Sequence, residues 1–184
     1  MKKKALLTVA FAVLLGFSIA LSAQDSKAAV SATPASANLL IAMKLKQNSV
    51  LSFGSSLLTN KDGGTVILPS SNVDRDYTGG VSSSEATPSP SNASYSVTGT
   101  ANETYAVVLE TKITVTHTSV DSGVNSMDIT DITARFNGKD TDDTVSTLAS
   151  DGTDSFSLGG TLTVQANQVS GRYTGLFAVN VDYN

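Results

Sequence analysis

The sequence predicts an all-β fold, an antiparallel sandwich, and three features carry that expectation. Short runs rich in Thr, Val, Ser and Tyr alternate apolar with polar residues, the period at which a strand sends side chains to opposite faces. Clusters of Gly, Asn and Asp separate these runs and supply turn chemistry. Beyond Leu21 no dozen-residue window shows apolar residues spaced by three and four, so no helix competes. No internal repeat points to a solenoid or propeller, which leaves two packed sheets as the way to bury so many half-apolar strands.

The chain opens on Met1-Lys2-Lys3-Lys4 and an uncharged apolar run from Ala5 to Leu21, with small residues at Ala20 and Ser22. This is the pattern of a secretory signal peptide over residues 1–22, with Ala23 as a rival cleavage point. A membrane anchor is the alternative, since about 20 apolar residues span a bilayer. The polar Gln24-Asp25-Ser26 that follows directly favours cleavage. The mature protein is therefore expected to be secreted, in the periplasm or on the surface of a bacterial cell, with no membrane segment. Residues 23–36 are small, weakly apolar and interrupted by Pro34, and are expected to be a mobile arm. Ala28, Val30 and Ala32 alternate within it, which makes the arm a candidate donor strand for another sheet. Residues 37–184 are left as one sandwich domain.

The expected strands follow in order. Leu39, Ile41, Met43 and Leu45 alternate with Leu40, Ala42, Lys44 and Lys46; Asn48-Ser49 and Gly54 cut the run too short for a helix. Val50 to Phe53 reads as a second short strand. Lys61-Asp62-Gly63-Gly64 is a turn, and Thr65 to Leu68 a strand stopped by Pro69. Within a Ser-, Pro- and Asn-rich stretch, Tyr77 to Ser82 is a further short strand. Ala93 to Gly99, Thr104 to Leu109, Ile113 to Thr116 and Met127 to Phe136 all alternate. Phe156 to Leu158 and Thr161 to Val164 are read as two pieces, broken at Gly159-Gly160. From Gly171 the odd positions Tyr173, Phe177, Val179, Val181 and Tyr183 form an apolar face to the end of the chain, which predicts a single C-terminal strand.

Chemistry is sparse. A net charge of −4 argues against nucleic acid or an anionic membrane as partner. There is no cysteine, hence no disulfide and no thiolate ligand or nucleophile. The single histidine, His117, lies near a strand end and reads as an outward residue; a Ser-His-Asp triad would need it, and no Gly-x-Ser-x-Gly elbow is present. No pair of acids stands out as a glycosidase dyad. No catalytic residue, cofactor or enzymatic activity is therefore expected. Asp140, Asp142 and Asp143, with Asp151 and Asp154 beyond, cluster oxygen ligands in loops and are candidate calcium ligands, against the plainer reading of solvated acidic loops. Asn92-Ala93-Ser94 and Asn102-Glu103-Thr104 match the glycosylation pattern but read as chance.

Several stretches together resemble one bacterial exported family. They are Leu51-Ser52-Phe53-Gly54, Gly63 to Leu68, Ala93 to Tyr105, Leu158 to Val164, Gly171 to Gly175, and the closing Asp182-Tyr183-Asn184. The family is domain of unknown function 4402, and the resemblance covers roughly residues 37–184. It implies a secreted, immunoglobulin-like antiparallel β-sandwich and supplies no assigned activity. The terminus is also similar to pilin subunits assembled by a periplasmic chaperone and an outer-membrane usher. Those subunits place a glycine fourteenth from the end and an aromatic at the penultimate position, and Gly171 and Tyr183 stand there in this chain.

That second resemblance implies assembly by β-strand addition, in which main-chain hydrogen bonds and alternate side-chain pockets hold a strand from a neighbour. Gly171, Tyr173, Phe177, Val179, Val181 and Tyr183 are the corresponding assembly residues, with the chain itself and a chaperone and usher as partners. Leu39 to Leu45 is then either a donor or the domain's own first strand, the second being simpler. The function expected is a non-catalytic cell-surface subunit, pilus- or adhesin-like; the alternative is a self-contained binding module for carbohydrate or calcium.

Overall fold

The twelve-residue strand Thr153–Val164 is the spine of the molecule, seen in a computed structural model that describes residues 34–55, 57–84 and 88–184. The expected signal peptide and most of the arm lie outside the described residues. Residues Leu39–Asn184 make one compact unit. In chain order the strands are β1 (Lys44–Ser49), β2 (Leu57–Leu68), β3 (Asp76–Ser83), β4 (Ala93–Thr98), β5 (Thr104–Leu109) and β6 (Ile113–His117). They continue with β7 (Ser126–Phe136), β8 (Val145–Thr147), β9 (Thr153–Val164), β10 (Tyr173–Thr174) and β11 (Val179–Tyr183). No helix occurs among the described residues.

One edge of β9 serves two partners, β4 along 153–158 and β2 along 160–164; the other edge pairs with β7. β1 extends the sheet beyond β4, β3 beyond β2, and β6 and then β10 beyond β7, all antiparallel. A second sheet of three strands, β11-β5-β8, packs over it. The protein is an all-β antiparallel sandwich.

Gly159 and Gly160 sit where β9 changes partner, and here the sequence reading needs correction. The glycine pair does not end a strand. A Cβ on Gly159 would collide with the backbone of Leu68, Pro69 and Ser70, so glycine lets the end of β2 lie directly against an unbroken β9.

Alternation fills two apolar clusters. One joins Tyr95 and Val97 of β4, Tyr105 and Val107 of β5, Ala134 and Phe136 of β7, Phe156 and Leu158 of β9, and Leu148. The other gathers Phe53, Val66, Leu68, Val81, Ile113, Met127, Ile129, Leu162 and Val164 where the large sheet curls over itself. Leu51 and Phe177 touch both. Phe136 is the aromatic hub of the first, edge-to-face with Tyr105 at 5.8 Å and with Phe156 at 5.7 Å between centroids.

Other differences from the sequence reading are local. The first strand begins at Lys44, not Leu39; Leu39 and Ile41 stand 93% and 65% exposed in an irregular lead-in. Val50 to Phe53 forms only an isolated bridge, Ser52 to Ser91. Lys61 to Gly64 is not a turn between strands but an outsized bulge inside β2, where four residues oppose one on β3 and Gly63 takes a φ of 72°. β8, three residues long, was not legible at all.

Candidate functional site

The C-terminal stretch alternates in burial as its sequence predicts, but it is not one strand. Tyr173, Phe177, Val179, Val181 and Tyr183 are half-buried and their even-numbered neighbours exposed. β10 pairs with β6 in the large sheet; residues 175–178 then cross over, and β11 pairs with β5 in the small one. The stretch therefore stitches the two sheets together, with Phe177 packed at the crossing against both clusters.

Two glycines make this path passable. Gly171 has a φ of 150°, and a Cβ there would run into the His117 ring; one on Gly175 would meet the Thr114 carbonyl. His117 is bound into the same corner. Its Nδ1 accepts the backbone N–H groups of Ser119 and Val120, both at 3.0 Å, which leaves the proton on Nε2 to be donated to the Ser170 carbonyl at 3.1 Å. The ring also meets Tyr173 edge-on at 5.1 Å. The residue read as outward thus clasps the start of β10, and no acid among the described residues is hydrogen-bonded to it.

At the far end, the Tyr183 hydroxyl accepts the Thr100 N–H at 2.6 Å and donates to the Ile41 carbonyl at 2.7 Å. A Cβ on Gly99 would overlap that hydroxyl. The penultimate aromatic is therefore held within its own chain, its ring on the first cluster and its hydroxyl bridging the β4–β5 turn and the lead-in to β1.

β11 leaves one edge open. Asn184 N–H donates to the Thr104 carbonyl, and Ala178 N–H turns the same way, to the Glu110 carboxylate. Antiparallel geometry alternates the two directions, so residues 180 and 182 bond to β5 while Val179, Val181 and Tyr183 aim N–H and C=O at the other side. No strand among the described residues pairs there. Among the described residues β1 pairs only with β4, so its second edge is without a partner strand there too. Between β11 and the lead-in to β1 lies a groove of about 340 Å3, lined by Leu40, Ile41, Ala42, Met43, Val181, Asp182 and Tyr183. Met43, Leu45, Val179, Val181 and Tyr183 are only partly covered, although all five pack on the core. The single-sequence pattern located the strand but could not reveal which of its edges is free.

The candidate calcium ligands are drawn apart by other partners. Asp142 pairs with Arg135 Nε at 2.5 Å and accepts from Ser70 Oγ at 2.6 Å. Asp143 accepts the N–H groups of Thr144 and Val145, and the Asp140 carbonyl takes Arg135 Nη1. Asp151 caps Thr153, while Asp154 turns inward to accept from Tyr105 Oη at 3.0 Å and Ser146 Oγ at 2.7 Å. Burial, then the Asp154 charge, pushes the Tyr105 phenol well above its ordinary range, so it stays a donor. Among the described residues no three His, Asp or Glu side chains converge as a metal site. Asn92, one glycosylation match, spends its amide on the Pro69 and Leu158 carbonyls.

The Asp142 pair yields a pH prediction. Burial acts to raise this carboxyl, but hydrogen bonds from Ser70, Arg135 and Thr133 and the guanidinium charge outweigh it and hold the group below its ordinary range. A depressed carboxyl contributes stability above its unfolded value, about 3.9, and loses it as pH falls through the folded one. With both partners partly exposed, the contribution is about 0.5–1 kcal/mol. Asp142→Asn should therefore melt about 1–4 °C below wild type at pH 7, with the gap closing as pH falls below the ordinary carboxylate range. Thermal melts from pH 2 to 7 check this; a gap that does not change with pH contradicts it.

None of the curated proteins compared with the chain matches it. A family model does, over residues 43–183, from Met43 just before β1 to Tyr183 itself. With its sheets, both clusters and the open edge of β11 inside that span, the chain belongs to the family described as domain of unknown function, DUF4402.

Proposed function

We propose that the chain is a non-catalytic subunit of a bacterial surface structure, exported by residues 1–22 and joined to its neighbours by β-strand addition at β11. The observation that carries this reading is the open edge. Val179, Val181 and Tyr183 offer outward main-chain groups unpaired among the described residues, and incompletely covered side chains inward, beside a groove whose other wall is the lead-in to β1. An added strand satisfies both, with its hydrogen bonds on β11 and its alternate side chains over the exposed part of the core. The occupant is residues 23–36 of an adjoining copy. That segment brings Ala28, Val30 and Ala32 at strand spacing, three small apolar side chains for one face of an added strand.

The C-terminal pattern supports the same reading by its similarity to pilin subunits, whose chaperone and usher would then be the handling partners. An immunoglobulin-like strand order in the sandwich belongs to this proposal as well. β1 is the domain's own strand, paired along β4, which leaves the arm as the donor. The test is assembly of the exported protein. Unboiled denaturing gels should show a ladder of oligomers, and deletion of residues 23–36 should reduce it to monomer while the melting temperature of the monomer is kept. A full-length protein that is monomeric at every concentration would overturn the reading.

A further inference from the structure

We propose that the outer face of β1, β4, β9 and β7 is a binding site for an acidic polysaccharide. This face is independent of the β11 edge. Tyr95, Val97, Phe136, Phe156 and Leu158 are buried on the inner side, so their neighbours in sequence point outward. Register sets these in rows: Lys46 opposite Ser96 opposite Ser155, and Ser49 opposite Ser94 opposite Ser157 opposite Arg135. Small serine side chains line the middle strands, and Asn48, Ser71 and the Asn137–Lys139 turn complete the lining. The result is an open depression of about 550 Å3, within the ordinary range for ligand sites.

Its chemistry is one-sided. No Asp or Glu lines it, although the chain as a whole is acidic. Lys46 and Lys139 flank it from opposite sides, and neither has an ion-pair partner among the described residues. Arg135 adds a third cation at the rim, neutralised in part by Asp142. The other cations from residue 34 onward, apart from Lys44 in the next row, are scattered over β2, the β2–β3 and β5–β6 connections and the approach to β10. The Ser96 and Ser94 hydroxyls are preset by Asn48 and Ser49, and Ser157 Oγ is engaged by the Ser70 carbonyl. Ser155 and the Asn137 amide have no such side-chain bond among the described residues. Hydroxyls and amides both donate and accept, as a polyhydroxylated ligand requires, and two unpaired ammonium groups add a preference for negative charge. With no exposed aromatic ring in its lining to stack on a sugar face, recognition rests on hydrogen bonds and charge, and is salt-sensitive.

Calorimetric titration of the exported protein with polygalacturonate, with phosphomannan and with neutral dextran tests this. At 50 mM salt at least one acidic polymer should bind, dextran should not, and 500 mM salt should weaken binding at least tenfold. Whichever acidic polymer binds more tightly tells carboxylate from phosphate recognition. The Lys46→Glu/Lys139→Glu double variant should lose at least tenfold in affinity, as should Ser155→Tyr, which fills the floor. Lys61→Glu, on β2 outside the depression, should bind as wild type. Melting curves establish that each variant is folded. Failure of both acidic polymers to bind overturns the proposal. So does equal loss in Lys61→Glu, or unchanged affinity in the folded double variant.

Discussion

Replacing Val181 by proline will leave the domain folded and abolish its assembly. Proline lacks the N–H, and at residue 181 that group points away from β5 to the open edge, where it has no partner among the described residues. Prolines are tolerated in edge strands when the missing donor faces outward. The melting temperature should therefore fall by only a few degrees, while an incoming strand loses a central hydrogen bond and meets the ring in its path. Asp182→Pro, one residue on, makes the contrast. Its N–H belongs to the ladder with β5, and leaving the Ala106 carbonyl without it costs about 1–3 kcal/mol. Paired melts and unboiled gels read both effects. Normal oligomers from Val181→Pro, or equal stability of the two variants, would show that the edge has been assigned wrongly.

Phe136→Ala will be among the most damaging single changes in the core. Phe136 is 1% exposed and contacts Tyr105 and Phe156 edge-to-face, joining the two sheets. Removing a buried ring costs about 3–5 kcal/mol in lost transfer energy and residual cavity. For a domain of this size that is roughly 10–15 °C in Tm. Val108→Ala, on the exposed face of β5, should move stability by no more than about 0.5 kcal/mol. A Phe136→Ala protein melting within ~3 °C of wild type would mean that the first cluster is not what holds the sheets together.

The sandwich was legible because each long strand buries one face only, and period-two alternation survives in Ala93 to Thr98, Thr104 to Leu109 and Ile113 to His117, and within Ser126 to Phe136 on either side of a register shift at Thr130 to Thr133 that moves the buried positions from odd to even. Where the reading failed, a tertiary contact had overruled a local signal. Gly159-Gly160 reads as punctuation, yet its purpose is the close approach of Leu68 to Ser70. Gly63 and Gly64 read as a turn and are a bulge, because β2 continues on both sides of them toward β3. Leu39 and Ile41 alternate as a strand should but have no partner strand among the described residues, so alternation alone overextended β1. The C-terminal face was correctly identified from its odd-numbered residues. Its passage from one sheet to the other was not, since a crossing that keeps the same side inward leaves no mark on the pattern. Likewise the serine floor reads as loose polar sequence until register lines up Ser96 with Ser155 and Ser94 with Ser157.

The stitched C-terminal stretch also sets the timing of folding. β10 and β11 come after every strand they complete, and their partners β6 and β5 lie more than fifty residues upstream. Until residues 173–183 arrive, β5 has one partner fewer and β6 a bare edge, and neither apolar cluster has Phe177. Such long-range pairings are slow to form. The sandwich therefore cannot complete its pairing until these last strands have been made and docked.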